Sequence, residues 1–352
     1  MAGEAFTAAD RKSLAVVDRH AKQRDSLVVA LLKALLGLWG SFDGWDDRDL
    51  VTGHAARSAV LVETALTRSR RLARSYATVM LREADALPER ELPPVQDVYP
   101  RSGVSASEVY TRPAEQYLWE RSIGRTDQEA RTHVLERVEK LARMDEQLVT
   151  RDETRATYAK APKVIGWRRV IHPELSESGY SCGLCIVASD RLYSTSELMA
   201  VHDGCNCDTC PVTKGFDPGL RLNRDDLDAL YEAAGDSTFA DDLRETRIRL
   251  DEHGELGPIL RNAKHSFRDR DDASTSRHTY GPYKPVTEDE HRAGLRAAVE
   301  RSQRAVIRLQ SAIDNGEDSI RLGPSGRERK VSDFTSALSY HNDLISRYLA
   351  RL

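Results

Sequence analysis

Apolar residues recur at steps of three or four through residues 7–42, at Leu14, Val17, Leu27, Leu31, Leu35 and Trp39, with no Pro or Gly before Gly37. This is the 3.6-residue period, and it predicts one amphipathic helix or two in series, ending at the turn 37–44. After Asp46 a second helical run reaches Leu87, with Leu50, Ala55, Ala59, Val62, Leu66, Ala73, Tyr76, Ala77 and Met80 on one broad face. Two long helices joined by a short turn are expected to pack as an antiparallel pair. Five prolines between Pro88 and Pro113 mark an irregular connector. Helical periodicity returns over 114–158 through Tyr117, Trp119, Val134, Leu135, Val138, Leu141, Met144 and Leu148, with Gly124 as a break.

The pattern changes at Pro162. The run 163–171 is short, β-branched and bounded by Pro162 and Pro173, which predicts a strand. Ile186-Val187-Ala188 and Leu192-Tyr193-Ser194 are read as two further short strands about an Asp190-Arg191 turn. Beyond them, 222–250 is predicted helical with Asn223 as N-cap, 252–258 is a turn-rich exit, and 265–285, dense in Arg, Asp, Ser and Thr, is an exposed linker. A helix over 287–314, a Gly-rich turn over 316–326 and a last helix over 331–352 form a helical hairpin. Its apolar stripe needs cover from the N-terminal helices or from another subunit. The predicted fold class is α+β, predominantly helical. It comprises a long N-terminal helical bundle (1–160), a small α+β module with a Cys/His cluster (161–262), a linker (263–286) and a C-terminal helical hairpin (287–352).

Composition narrows the function classes. Charged residues make up 31% of the chain, aromatics 6%, and mean hydropathy is −0.54, which favours a soluble protein with much exposed helical surface. A net charge of −4 gives no bulk attraction to nucleic acid, so a DNA contact would be weak and would need a local patch. The densest basic cluster, Arg68, Arg70, Arg71 and Arg74, is read first as a solvated helix face and second as such a patch. No signal peptide is read at the start, and the most apolar run, 27–39, is short of a membrane span and carries Lys33. A cytosol-made protein without a membrane partner is expected.

The chemistry gathers in one place: all five cysteines lie between Cys182 and Cys210. An odd number of thiols points away from a disulfide framework. Thiolates two residues apart can chelate one ion, and a second pair delivered from the far end of a hairpin completes a tetrahedron. Cys182, Cys185, His202 and Cys205 or Cys207 are the candidate ligands of a structural Zn2+; Cys205-x-Cys207-x-x-Cys210 offers more thiols than needed, so at least one is a spare or a packing residue. Reduced thiols packed as small hydrophobes, and a disulfide formed late in an assembled particle, are the other readings. There is no His-Glu-x-x-His helix, no deaminase signature and no Gly-x-Ser-x-Gly elbow, so no catalytic residue is assigned. A triad built from distant segments stays open, since triads are defined by geometry.

These residues also carry a resemblance. Trp167-Arg168-Arg169-Val170, the Cys182-Gly183-Leu184-Cys185 pair leading to Ser189-Asp190-Arg191-Leu192-Tyr193, and His202-x-x-Cys205-x-Cys207 followed by Pro211-Val212 resemble the core of the phage Mu F-type (MuF-like) minor head proteins. The layout is similar to versions in tailed phages of actinobacteria. The chain departs from the pattern in having Asp203 where Pro is usual, Ser189-Asp190-Arg191 for Asp-Gly, and the extra Cys210. The resemblance implies a portal-associated minor capsid protein of the virion interior, assembled in the host cytoplasm. Its partners would be the portal protein and the major capsid or scaffold protein, and its role head morphogenesis, in procapsid assembly and DNA packaging or delivery. Such chains are often labelled capsid maturation protease, which is the alternative; a zinc-binding interaction module is the third reading.

Overall fold

The computed structural model of this 352-residue chain describes residues 8–175, 183–202, 204–223, 248–253, 255–262, 287–323 and 329–352. It is a predominantly helical α+β protein: three long helices, α1 (Ala8–Gly40), α2 (Arg48–Glu83) and α5 (Asp127–Tyr158), with short helices α3 (Ala106–Val109) and α4 (Arg112–Ser122) preceding α5. The described residues form two compact units, each drawing on three separate stretches of chain. No helix among them is long and apolar enough to cross a membrane.

The first unit takes in Met1–Leu35, Ser58–Ala106 and Glu139–Arg277. Here α1 and α2 run antiparallel, as their 3.6-residue stripes predict: Lys12 meets Glu83 at 2.7 Å, and the ring of His20 stacks on Tyr76 at 4.0 Å. The buried face of α1 is Ser13, Val17, His20, Ala21, Arg24, Val28, Leu31, Leu32 and Leu35, so two strongly polar residues stand in the middle of an apolar stripe. The C-terminal half of α5 is more unusual, burying Asp145, Glu146, Gln147, Thr150, Arg151, Glu153, Thr154 and Thr157 beside Leu148, Val149 and Tyr158. The connector after α2 is tied to these helices. Tyr99 and Arg101 bond the Asp145 carboxylate at 2.7 and 2.6 Å, while Arg70 donates to the Val98 carbonyl and Arg74 to the Pro93 carbonyl and to Glu153. Two arginines of the basic cluster are therefore spent on the chain's own acceptors.

The strand expected at 163–171 is β1 (Gly166–Val170), paired antiparallel with β2 (Asp208–Val212). The free edge of β1 is closed without a third strand. Trp167 exchanges both backbone bonds with Tyr193 (2.8 and 2.9 Å), and the Asn223 amide accepts from Ile171 N–H at 3.1 Å and donates to the Arg169 carbonyl at 2.6 Å. Gly166 is required for this closure, because a Cβ there would stand 2.4 Å from the Tyr193 carbonyl oxygen. Asn223 is thus the C-cap of α7 (Pro218–Leu222). Of the helix expected over 222–250, residues 224–247 lie outside the described residues, and 248–250 are strand and not helix, since they pair with 260–262.

Two other expectations are corrected. Ile186-Val187-Ala188 belongs to helix α6 (Gly183–Ser189), where Cys185, Ala188 and Ser189 are buried at i, i+3 and i+4. A short apolar run has no period that separates strand from helix, and packing chose the helix. The exit turn at 252–258 joins a hairpin, β3 (Ile248–His253) and β4 (Gly257–Asn262).

The second unit takes in Leu36–Arg57, Ser107–Val138 and His278–Leu352. Trp39, Phe42, Trp45, His54 and Tyr117 form an aromatic cluster, with Trp45 stacked on Tyr117 at 4.3 Å. The predicted C-terminal hairpin is α8 (Glu288–Asp314) and α9 (Phe334–Leu349), packed through Leu295, Val299, Tyr340, Leu344 and Tyr348. Thr287 and Glu290 form a capping box at the start of α8. Strand β5 (Ile320–Leu322), within the Gly-rich turn, pairs antiparallel with β6 (Arg329–Val331) just after it, where the sequence predicts the last helix to begin at 331, and Leu322 and Val331 pack on Leu309 and Ala337. Part of the cover for α9 comes from the same chain: His341 Nε2 lies 3.2 Å from the Ser122 carbonyl, and Arg347 pairs with Asp46 at 2.7 Å.

Candidate metal centre

Strand alternation builds the site. Successive side chains of a strand point to opposite faces, and directly paired residues share one. On one face of β1, Trp167 and Ile171 join the apolar cluster that includes Cys185, Tyr193, Met199, Cys205 and Cys207, and Arg169 lies between them in sequence on that same side. On the other, Val170 and Cys210 pack against Val17, Tyr76 and Met80. Carried back from β2, the alternation puts Cys207 and Cys205 on the Arg169 side and Asp208 on the α1 side.

The sulfurs of Cys185, Cys205 and Cys207, all buried, lie within 4.8 Å of one another. Helix α6 delivers Cys185, and a turn in which Cys205 N–H donates to the His202 carbonyl at 3.1 Å delivers the other two. His202 Nε2 stands 2.9 Å from Cys185 Sγ. Of the five ligands read from the sequence, Cys185, Cys205 and Cys207 are brought together, His202 adjoins them through Cys185, and Cys182 lies outside the described residues. Cys210 stands apart, its sulfur 3.7 Å from the Tyr76 hydroxyl, and burial pushes its thiol up to about 12.

A tetrahedral zinc, with bonds of about 2.3 Å to sulfur and about 2.0–2.1 Å to nitrogen, sets its donors roughly 3.5–3.8 Å apart. With their sulfurs within 4.8 Å of one another, the three thiols can hold a metal ion, and the His202 imidazole adjoins them at Cys185. Charge is already concentrated among them. Hydrogen bonds from Cys185 and Cys207, assisted by Arg169, outweigh burial and hold the Cys205 thiol well below the ordinary cysteine value. At Cys207 the bond from Cys185 draws the thiol down, but Cys205 and burial carry it up to about 12.

Behind the sulfurs lies a network with no counterpart in the sequence reading. Asp208, fully buried, takes Arg24 on Oδ1 at 2.7 Å and both His20 Nδ1 and His172 Nε2 on Oδ2 at 3.1 Å. Burial works against its charge, but Arg24 and the imidazoles more than offset it and hold the carboxyl well below its usual range. His172 also meets Glu174 at 2.7 Å, and these two carboxylates, against the effect of burial, raise it to about 9. Arg24 reaches on to the carbonyls of Asn206 and Cys207, and Gln147 donates to the latter at 2.7 Å. Two long helices thereby clamp the backbone that carries Cys205 and Cys207. The signal in the sequence was His20 and Arg24 at core spacing within an apolar stripe.

Compared with known proteins, the chain matches no family model, no curated protein and no solved structure. Fold and site define a predominantly helical α+β protein with a buried three-cysteine group able to hold a metal ion.

Proposed function

We propose that this chain is a minor head protein of a tailed phage, of the MuF-like kind, acting at the portal vertex in procapsid assembly and in DNA packaging or delivery. Its Cys/His module is then a structural part, held by Zn2+ on Cys185, Cys205 and Cys207 with His202. What supports the reading is that the segments carrying the resemblance, 167–170, 182–193 and 202–212, contribute Arg169, Cys185, His202, Cys205 and Cys207 to one buried centre. With His202 taken as the fourth donor, the set would be closed and leave no open position for an activated water, which is the pattern of a structural ion. When bound, such an ion supplies cross-linking of α6 to the 202–207 segment. Co-expression with the capsid and portal proteins tests the assignment: the chain should appear in procapsids, and its absence from them refutes the role. Zinc analysis of the parent and of a Cys205→Ala/Cys207→Ala variant tests the centre, and equal metal content in the two would remove it.

One observation favours a second reading, the capsid maturation protease. Cys185 and His202 stand as a thiol within hydrogen-bond reach of an imidazole, the arrangement of a nucleophile and its base. Against it, Cys185 is only 3% exposed. The crevice that reaches Cys205, lined also by Arg24, Arg143, Glu146 and Asn206 and by neither Cys185 nor His202, has room for about 10 Å³, the space of a single water. Cleavage of a co-expressed head protein that disappears in Cys185→Ala would establish the protease and displace the structural reading.

A further inference from the structure

Arg169 is fully buried, in the apolar cluster that contains the cysteines. Its Nη1 donates to Cys185 Sγ at 3.6 Å and to Cys205 Sγ at 3.5 Å, its Nη2 donates to the Ala200 carbonyl, and its Nε has no partner. No carboxylate among the described residues pairs with it; Arg168, its neighbour in the strand, takes Asp217 at 2.8 Å on the opposite face. A buried cation persists only when paired, since an uncompensated charge in a low-dielectric interior is costly. Among the described residues the sulfurs are the one source of negative charge within its reach. Neutral thiols would not supply that charge and three free thiolates would supply too much, whereas a single thiolate balances it before metal binds. Three thiolates around a divalent ion carry a net charge of −1, an uncharged imidazole leaves that count unchanged, and one guanidinium brings it to zero.

We propose that Arg169 is the built-in counter-charge of the centre, matching a thiophilic divalent cation bound by the Cys185, Cys205 and Cys207 thiolates. This rests on the metal-holding reading above and adds what the site selects: a complex of net charge −1. A thiolate-bound monovalent ion would leave negative charge uncompensated in the core. Arg169 touches the ligands through their sulfurs, a position from which substitution weakens metal binding by about 10–100-fold.

The test uses the full chain, reduced and stripped of metal, titrated with Co2+ and followed by thiolate-to-cobalt charge-transfer absorption, with Zn2+ then displacing the cobalt. Three proteins are compared: the parent, Arg169→Gln, which keeps polarity and loses charge, and Arg169→Lys, which keeps charge and loses the planar fork. Arg169→Gln is expected to bind Co2+ about 10–100-fold more weakly than the parent, and Arg169→Lys to stay close to it. A band in the parent with equal affinity in Arg169→Gln overturns the counter-charge alone. Equal weakening in both variants shows that shape matters and charge does not, and also overturns it. If Arg169→Gln does not fold, Arg169→Lys decides, since loss of binding there is incompatible with a role through charge. A parent chain with no charge-transfer band overturns the metal centre itself, and this assignment with it.

Discussion

At the scale of single residues, the first unit departs most from an ordinary helical core in its buried charges. Arg24 holds Asp208 and, through the carbonyls of Asn206 and Cys207, the loop that presents two of the thiols. Truncating one partner of a buried charged pair leaves the other uncompensated, so Arg24→Met should cost about 3–5 kcal/mol of stability, measured by denaturant unfolding. A cost within about 0.5 kcal/mol, as at an ordinary surface site, would mean that the imidazoles alone sustain Asp208. The network also sets a pH dependence. His172 is raised from 6.5 to about 9, so the folded state holds its proton more tightly than the unfolded one. Its contribution is complete below about pH 6.5 and is lost as pH rises through 9. Glu146, raised by burial from 4.5 to about 7, likewise favours its protonated folded form and loses stability as pH climbs through that interval. Asp208 runs the other way, its contribution lost only as pH falls below its ordinary 3.8. His172→Gln should therefore flatten the decline between pH 6.5 and 9 in urea midpoints, and an unchanged decline would contradict the assignment.

At the scale of elements, the long helices follow from periodicity because an amphipathic stripe sustained over thirty or so residues has only one way to be buried. Their ends follow from local chemistry: Thr287 and Glu290 cap α8, and Gly124, at φ +92°, separates α4 from α5 as read from the sequence. That glycine has a second reason to be there. A Cβ would stand 2.5 Å from the Asp333 carbonyl oxygen at the N-cap of α9, so Gly124→Ala combines a disfavoured backbone with a clash. A loss of roughly 1–3 kcal/mol is expected, read as a lower thermal midpoint. The small sheets were less legible. Tyr193 pairs with β1 while Ile186-Val187-Ala188 is helical, because runs this short take their conformation from what packs on them. Three-residue strands such as β5 and β6 carry too little pattern to be seen within or beside a Gly-rich turn.

At the scale of the molecule, the proposed ion joins α6 to the 202–207 segment within the first unit, whereas α8 and α9 belong to the second. Chelation should raise amide hydrogen exchange across β1, α6 and 200–212 and leave α8 and α9 unchanged; uniform exchange over the chain would mean that the cysteines do not hold the module. Deleting 287–352 should lower incorporation into procapsids if the C-terminal hairpin docks on the portal or scaffold protein, and undiminished incorporation would place docking elsewhere. The sequence by itself determined the helical class, the order of the long elements and the window of thiol chemistry, because a 3.6-residue period and a cluster of cysteines are local properties of a chain. It could not say which arginine of Arg168-Arg169 turns inward or why Cys210 stands apart from Cys205 and Cys207. Those answers depend on strand register, where a slip of one residue exchanges the faces. Only the tertiary structure fixed that register, through β2, Tyr193 and Asn223, and it alone brought His20, Arg24 and Gln147 from distant helices onto the backbone of the cysteines.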